Sequence, residues 1–142
     1  MDEAGKASDP HEIASRIEQL PPLEKMQHLI GLQTFSGSWV MNEELLAVIS
    51  HAAQTDMRSE TSVIGMVKKS CSLSLDGDVL NRMDSEDYAT ALVITWLEVV
   101  TSDEEDVWQM VVAKAKGWLE GQVGGSEVVK KLVDGCKGLW KV

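Results

Sequence analysis

The 142-residue chain is long enough for one domain and too short for two of ordinary size. Its 44% hydrophobic and 25% charged residues exclude disorder as the general state, and no apolar run approaches the ~20 residues that a membrane helix needs. A net charge of −10 repels phosphate polyanions, and the three arginines (Arg16, Arg58, Arg82) are scattered, so direct nucleic-acid binding is not expected.

Residues 1–10 lack apolar periodicity and read as a tether. The opening MDEAGKASDPHE is acidic and polar, unlike a secretory signal, and a cytoplasmic protein is expected. His11 to Leu20 is a short amphipathic stretch with Ile13, Ile17 and Leu20 on one face. Its Glu12 and Arg16 stand four apart, as a turn or two of helix would use them. Pro21-Pro22 stops it, and Pro22 can open the next helix at its first position. Residues 1–20 are thus set apart from a helical interaction domain over 21–142. The helix from Pro22 carries Leu23, Met26, Leu29 and Ile30 inward and ends near Gly31.

Thr34 to Ser38 reads as a turn, and Trp39 after it is placed to cover the end of a helix pair. Asn42 is a candidate N-cap, with Glu43 and Glu44 favourable in the first turn and Leu45, Leu46, Val48 and Ile49 apolar. His51 to Arg58 is polar and reads as a loop. Ser59 or Ser62 can cap a helix with Val63, Met66 and Val67 inward and Lys68-Lys69 at its C-terminal end. Cys71 to Asp84 is ambiguous: Leu73 and Leu75 alternate like a strand, while Val79, Leu80 and Met83 fit a helical turn. Asp76-Gly77-Asp78 reads as a turn.

Asp84 or Ser85 can cap the strongest element, in which Ala89 to Val100 is apolar nearly all round, with Glu98 as its one charge. A buried strand is the alternative. The length of the run, its two Ala and its two Leu favour a helix at the centre of a bundle. Ser102 with Glu105 forms a capping-box pattern. The helix after it aligns Val107, Trp108, Val111, Val112, Ala115, Trp118 and Leu119, and is expected to end at Gly121. Gly124-Gly125 is a hinge. Ser126 then caps a last helix with Val128, Val129, Leu132, Val133, Cys136, Leu139 and Trp140 on one side. The fold expected is all-α, a compact single-domain bundle of about five to seven helices.

Little in the chain points to catalysis. His11, His28 and His51 lie in different segments without ligand-spaced partners, so no metal or cofactor is expected. Asp76 to Asn81 lacks the sixth-position Gly of a calcium loop, and the cluster Asp103 to Asp106 suits a helix N-terminus. Neither Ser36-Gly37-Ser38 nor Gly124-Gly125-Ser126 completes a nucleophile elbow or a phosphate loop. Cys71 and Cys136 fit no metal motif, and nothing in the sequence sets them within bonding distance. A non-catalytic protein is expected.

Charge and tryptophan remain. Residues 1–106 hold 7 basic and 20 acidic residues, net −13, whereas 107–142 hold 6 lysines and 3 acidic residues, net +3. This basic tail can meet an acidic protein surface, although its lysines also suit a solvated helix face. Five of the seven aromatic residues are Trp, and Trp96, Trp108 and Trp118 fall on apolar stripes that suit a core. Trp140 can dock onto its own core or into a partner, as Trp does in binding hot spots. The candidate partner-binding residues are Trp140, Lys130, Lys131 and Lys137, and replacing Trp140 by Ala is expected to weaken binding without unfolding.

Three segments carry a resemblance: Leu29-Ile30-Gly31-Leu32-Gln33 with Gly37-Ser38-Trp39 and Glu44-Leu45; Thr90 through Glu98; and Trp108 with Ala113-Lys114-Ala115 and Trp118-Leu119. In this order they resemble the C-terminal domain of vertebrate proteins that carry a VIT domain and a von Willebrand factor A domain. They are also similar to the corresponding region of vault poly(ADP-ribose) polymerase. The likeness runs from about Leu29 to Gln122, roughly two-thirds of the chain. It implies a helical interaction domain, and through the polymerase branch it implies binding to major vault protein and delivery to the vault, a ribonucleoprotein particle. ADP-ribosyl transfer and the metal-dependent adhesion site belong to parts of those proteins that have no counterpart here. The rival expectations are a structural domain that packs against its parent's own VIT and von Willebrand domains, and an enzyme whose motifs are hidden.

Overall fold

The computed structural model describes residues 16, 19–50 and 59–140. The tether at 1–10, most of the His11–Leu20 stretch and the polar loop at 51–58 lie outside these residues. The described residues form seven α-helices and no strand. They are α1 (Pro22–Leu32), α2 (Glu43–Ser50), α3 (Glu60–Cys71), α4 (Gly77–Arg82), α5 (Ser85–Val100), α6 (Glu105–Val123) and α7 (Ser126–Lys137). A 3-10 turn at Ser102–Glu104 separates α5 from α6.

Helix α5 is the axis, as its uniform apolar run requires. All eleven residues from Asp87 to Leu97 are buried, under a sheath of α1, α3, α6 and α7. Its threonines would leave costly hydroxyls in this core if unpaired. Instead, Thr90 donates to Glu86 O at 2.8 Å, Thr95 to Leu92 O at 3.0 Å, and Thr101 to Leu97 O at 2.9 Å. Asp84 is the N-cap and forms a reciprocal capping box with Asp87, at 3.1 and 3.0 Å. Burial raises the Asp87 pKa.

Several helix ends follow the expected chemistry. Pro22 opens α1, Asn42 Oδ1 accepts from Leu45 N at 2.9 Å, and Ser59 caps α3 through Ser62 N. Others do not. Ser102 caps nothing with its side chain, because the chain first makes the 3-10 turn and α6 starts only at Glu105. Helix α6 runs past Gly121 to Val123 and stops where Gly124 turns left-handed, at φ 101°. Gly125, not Ser126, is the N-cap of α7. Leu73 and Leu75 lie in a turn rather than a strand. Leu23 and Val107, expected inward, are 48% and 50% exposed.

The turn between α1 and α2 lies flat on α6. Gln33 Nε2 donates to Val111 O and to Gly37 O, each at 3.0 Å. Gly37 has φ 110°, and a Cβ there would sit 2.9 Å from Lys114 O. Strain and collision act together in Gly37→Ala, which is expected to cost roughly 2–4 kcal/mol in urea unfolding. A loss below 0.5 kcal/mol would show that the turn moves off α6 at no cost.

Tyr88 ties α4 to α5. It is 1% exposed, donates to Leu80 O, and is held by burial to a pKa of about 12. A folded-state value raised above the ordinary 10.0 means that the neutral phenol's contribution is complete below that value. It is lost as pH rises through about 12. Unfolding free energy should therefore fall more steeply between those values in the native chain than in Tyr88→Phe. Parallel profiles would contradict this.

Candidate functional site

Helix α6 separates two surfaces. On one side it faces α7 and the end of α5 across a cleft of about 620 Å³. Val112, Val129 and Val133 form the floor, and Lys116, Lys130, Lys137, Glu105, Glu120 and Asp134 stand around it. The one charge in the apolar run of α5, Glu98, organises this cleft. Glu98 accepts from Lys116 at 2.9 Å and lies 3.8 Å from the Lys137 ammonium. Because these groups are partly exposed, the pairs are worth about 0–1 kcal/mol each and chiefly orient the two lysines.

The four expected binding residues do not share this surface. Lys130 and Lys137 line the cleft, but Lys137 is held by Glu98 and Asp134. Lys131 is exposed and does not line the cleft. Trp140 is 3% exposed, and its indole Nε1 donates to Thr95 Oγ1 at 2.8 Å. Of its two possible roles, Trp140 takes the docking onto its own core. The ring is buried rather than presented to a partner, so Trp140→Ala is now expected to act on the fold first.

Trp39, Trp96 and Trp108 are also internal, and Trp118 is half-buried. Trp39 is fully buried, and its indole reaches Leu29 O at 2.8 Å. Trp108 reaches Thr101 O at 2.8 Å. Both of these indoles donate to a carbonyl near a helix C-terminus, where intrahelical partners run out.

The opposite side of α6 is apolar and open. Val107, Met110 and Lys114 recur at helical spacing, with Met110 83% exposed. Beside them the α1–α2 turn presents Phe35, 95% exposed, with the Lys114 ammonium 5.2 Å from its ring centroid. Turn and helix are fixed to each other by the Gln33 and Gly37 contacts described above. The strip therefore presents two large exposed apolar side chains on elements fastened to each other, with the Lys114 ammonium against the Phe35 ring. Sequence reading passed over both residues. The available signals were the chain's one Phe inside a polar turn and a Met outside the inward stripe of its helix.

Ser38 donates to Glu86 and shares a hydrogen bond with Thr34. Trp39 N donates to Thr90 Oγ1 at 3.0 Å. This cluster fastens the turn to the start of α5, and Ser38 is fully buried. Among the described residues no group of three or more His, Cys, Asp or Glu could hold a metal ion, and no helix is long and apolar enough to cross a membrane.

No family model matches the chain, and no solved structure does. It is 24% identical over 126 residues to von Willebrand factor A domain-containing protein 5A of Homo sapiens, covering 85% of this chain and 14% of that protein. It is 25% identical over 114 residues to the Mus musculus protein of the same name, covering 80% and 12%. The chain thus spans only a small part of the relatives' length, and over most of its own length it is distantly homologous to a segment of these larger proteins.

Proposed function

We propose that this chain is a non-catalytic protein–protein interaction domain, the C-terminal part of a larger cytoplasmic protein, and that the Phe35–Met110 strip binds major vault protein and so brings the parent to the vault particle. The observation that carries the reading is the exposure of Phe35 and Met110 on a fixed base. Large apolar side chains grouped on a surface and rimmed by charge mark interaction sites, and a few such anchors supply most of the binding energy. The choice of partner draws support from the likeness of the Leu29–Gln122 motifs to the vault polymerase. A second reading is intramolecular: the strip packs against the parent's own VIT and von Willebrand domains. The small share of the relatives that this chain covers favours it, since most of such a protein lies elsewhere.

The test is retention of purified major vault protein on the immobilised domain at micromolar concentration and low salt, beside the isolated VIT and von Willebrand domains of the parent. The double variant Phe35→Ser with Met110→Lys should keep the native circular dichroism and lose at least tenfold in affinity, about 1.4 kcal/mol. Lys130→Glu with Lys137→Glu, across α6, should change affinity less than threefold. Retention of the parent's domains alone selects the second reading. Binding of neither removes both.

A further inference from the structure

The last turns of α3 and α7 bring together two thiols that the sequence keeps 65 positions apart. Cys71 and Cys136 are both free and fully buried. Cys71 lies against the α7 backbone: its Sγ is 3.8 Å from Leu132 O, and a Cβ on Gly135 would fall 2.6 Å from that Sγ and 3.4 Å from the Cys71 Cα. Only a glycine allows so close an approach of the two helices. The neighbouring Ser70 hydroxyl donates to Gly135 O, which fixes the register. Cys136 follows Gly135 directly, and the two thiols are near enough to act on each other's ionisation.

Two buried cysteines are often no more than small apolar side chains. Here the pair is also electrostatically unequal. The interaction between the thiols lowers the Cys71 pKa, while the same interaction and burial push the Cys136 thiol well above its ordinary value. The thiolate is the form that reacts with oxidants, so Cys71 is the member to react first.

We infer that Cys71 and Cys136 form a redox modification site, a dithiol that a peroxide converts to a disulfide stapling α7 to α3. The Cys71 thiolate attacks one peroxide oxygen, forming a sulfenic acid and releasing the other oxygen, which leaves as water after taking a proton. The Cys136 sulfur then attacks the Cys71 sulfur and displaces its hydroxyl as a second water. Two thiols lose two electrons and two hydrogens, and one hydrogen peroxide becomes two waters. Access requires opening of the last turn of α7, a local event at a helix end rather than global unfolding. The product clamps α7, the wall of the cleft that carries Lys130 and Lys137.

The test uses the full chain without denaturant, treated with hydrogen peroxide, then alkylated and digested with trypsin. The expected result is a mass loss of two hydrogens and a cross-link between the peptides Ser70–Arg82 and Leu132–Lys137, reversed by dithiothreitol, with native circular dichroism retained. Cys136→Ser should give no such link. Both thiols remaining free to alkylate, oxidation stopping at sulfinic acid, disulfide-linked dimers, or a link forming only after thermal unfolding would each overturn the assignment.

Discussion

Trp140→Ala is expected to lower the unfolding free energy by about 3–5 kcal/mol, a large share of the ~5–15 kcal/mol that holds a domain of this size. The indole closes the bundle. It lies three residues beyond α7 yet is 3% exposed, and its N–H ends on Thr95 in the middle of α5. Truncation opens a cavity at the junction of α5 and α7 and removes the donor to Thr95 Oγ1. Trp140→Phe keeps most of the ring and loses the donor alone, so about 1 kcal/mol is expected. Urea unfolding measures both, with an unchanged denaturant slope showing that the native state is still compact. A loss below 1 kcal/mol for Trp140→Ala would mean that the chain end docks without stabilising the core, and would return Trp140 to consideration as a binding residue.

Trp39→Ala should cost a similar ~3–5 kcal/mol for a different reason. Its ring is fully buried, and its indole caps Leu29 O near the end of α1. Its own backbone N–H is held by Thr90 of α5. Removing the ring therefore empties a core site and loosens the hold of the α1–α2 turn on α5. The same turn carries Phe35, so the mutation has a second readout: amide exchange across Thr34–Ser38 should accelerate at least tenfold, while the last turn of α7 keeps its protection. Exchange that rises equally at both ends would indicate uniform destabilisation and contradict a local anchoring role.

The tryptophans also mark how far periodicity reaches. Trp108 and Trp39 bury their rings as their positions in stripe and turn suggest, but pattern cannot show that their N–H groups end on Thr101 O and Leu29 O. Those carbonyls, seven and ten residues back along the chain, come within reach only once the intervening turns have formed. Glu98 is legible as the one charge in the apolar run Ala89–Val100. That Lys116 and Lys137 converge on it from two other helices is not. The failed Ser102 and Ser126 caps have a local cause: a 3-10 turn and two glycines with positive φ set the starts of α6 and α7 before the serine side chains could.

Composition, the uninterrupted apolar run of α5 and the caps at Asn42, Ser59 and Asp84 were enough to specify an all-helical bundle with α5 at its centre. Hydrophobic spacing and local hydrogen bonding act within a few residues, and both are written in the chain. Which surface is left for a partner was decided only by tertiary packing. Docking of the α1–α2 turn onto α6 set Phe35 against Lys114, and closure of the chain end drew Trp140 inside. Close approach of α3 and α7 joined Cys71 to Cys136. Each of these contacts links residues at least 45 positions apart, and solvent exposure at such sites depends on what the rest of the fold covers.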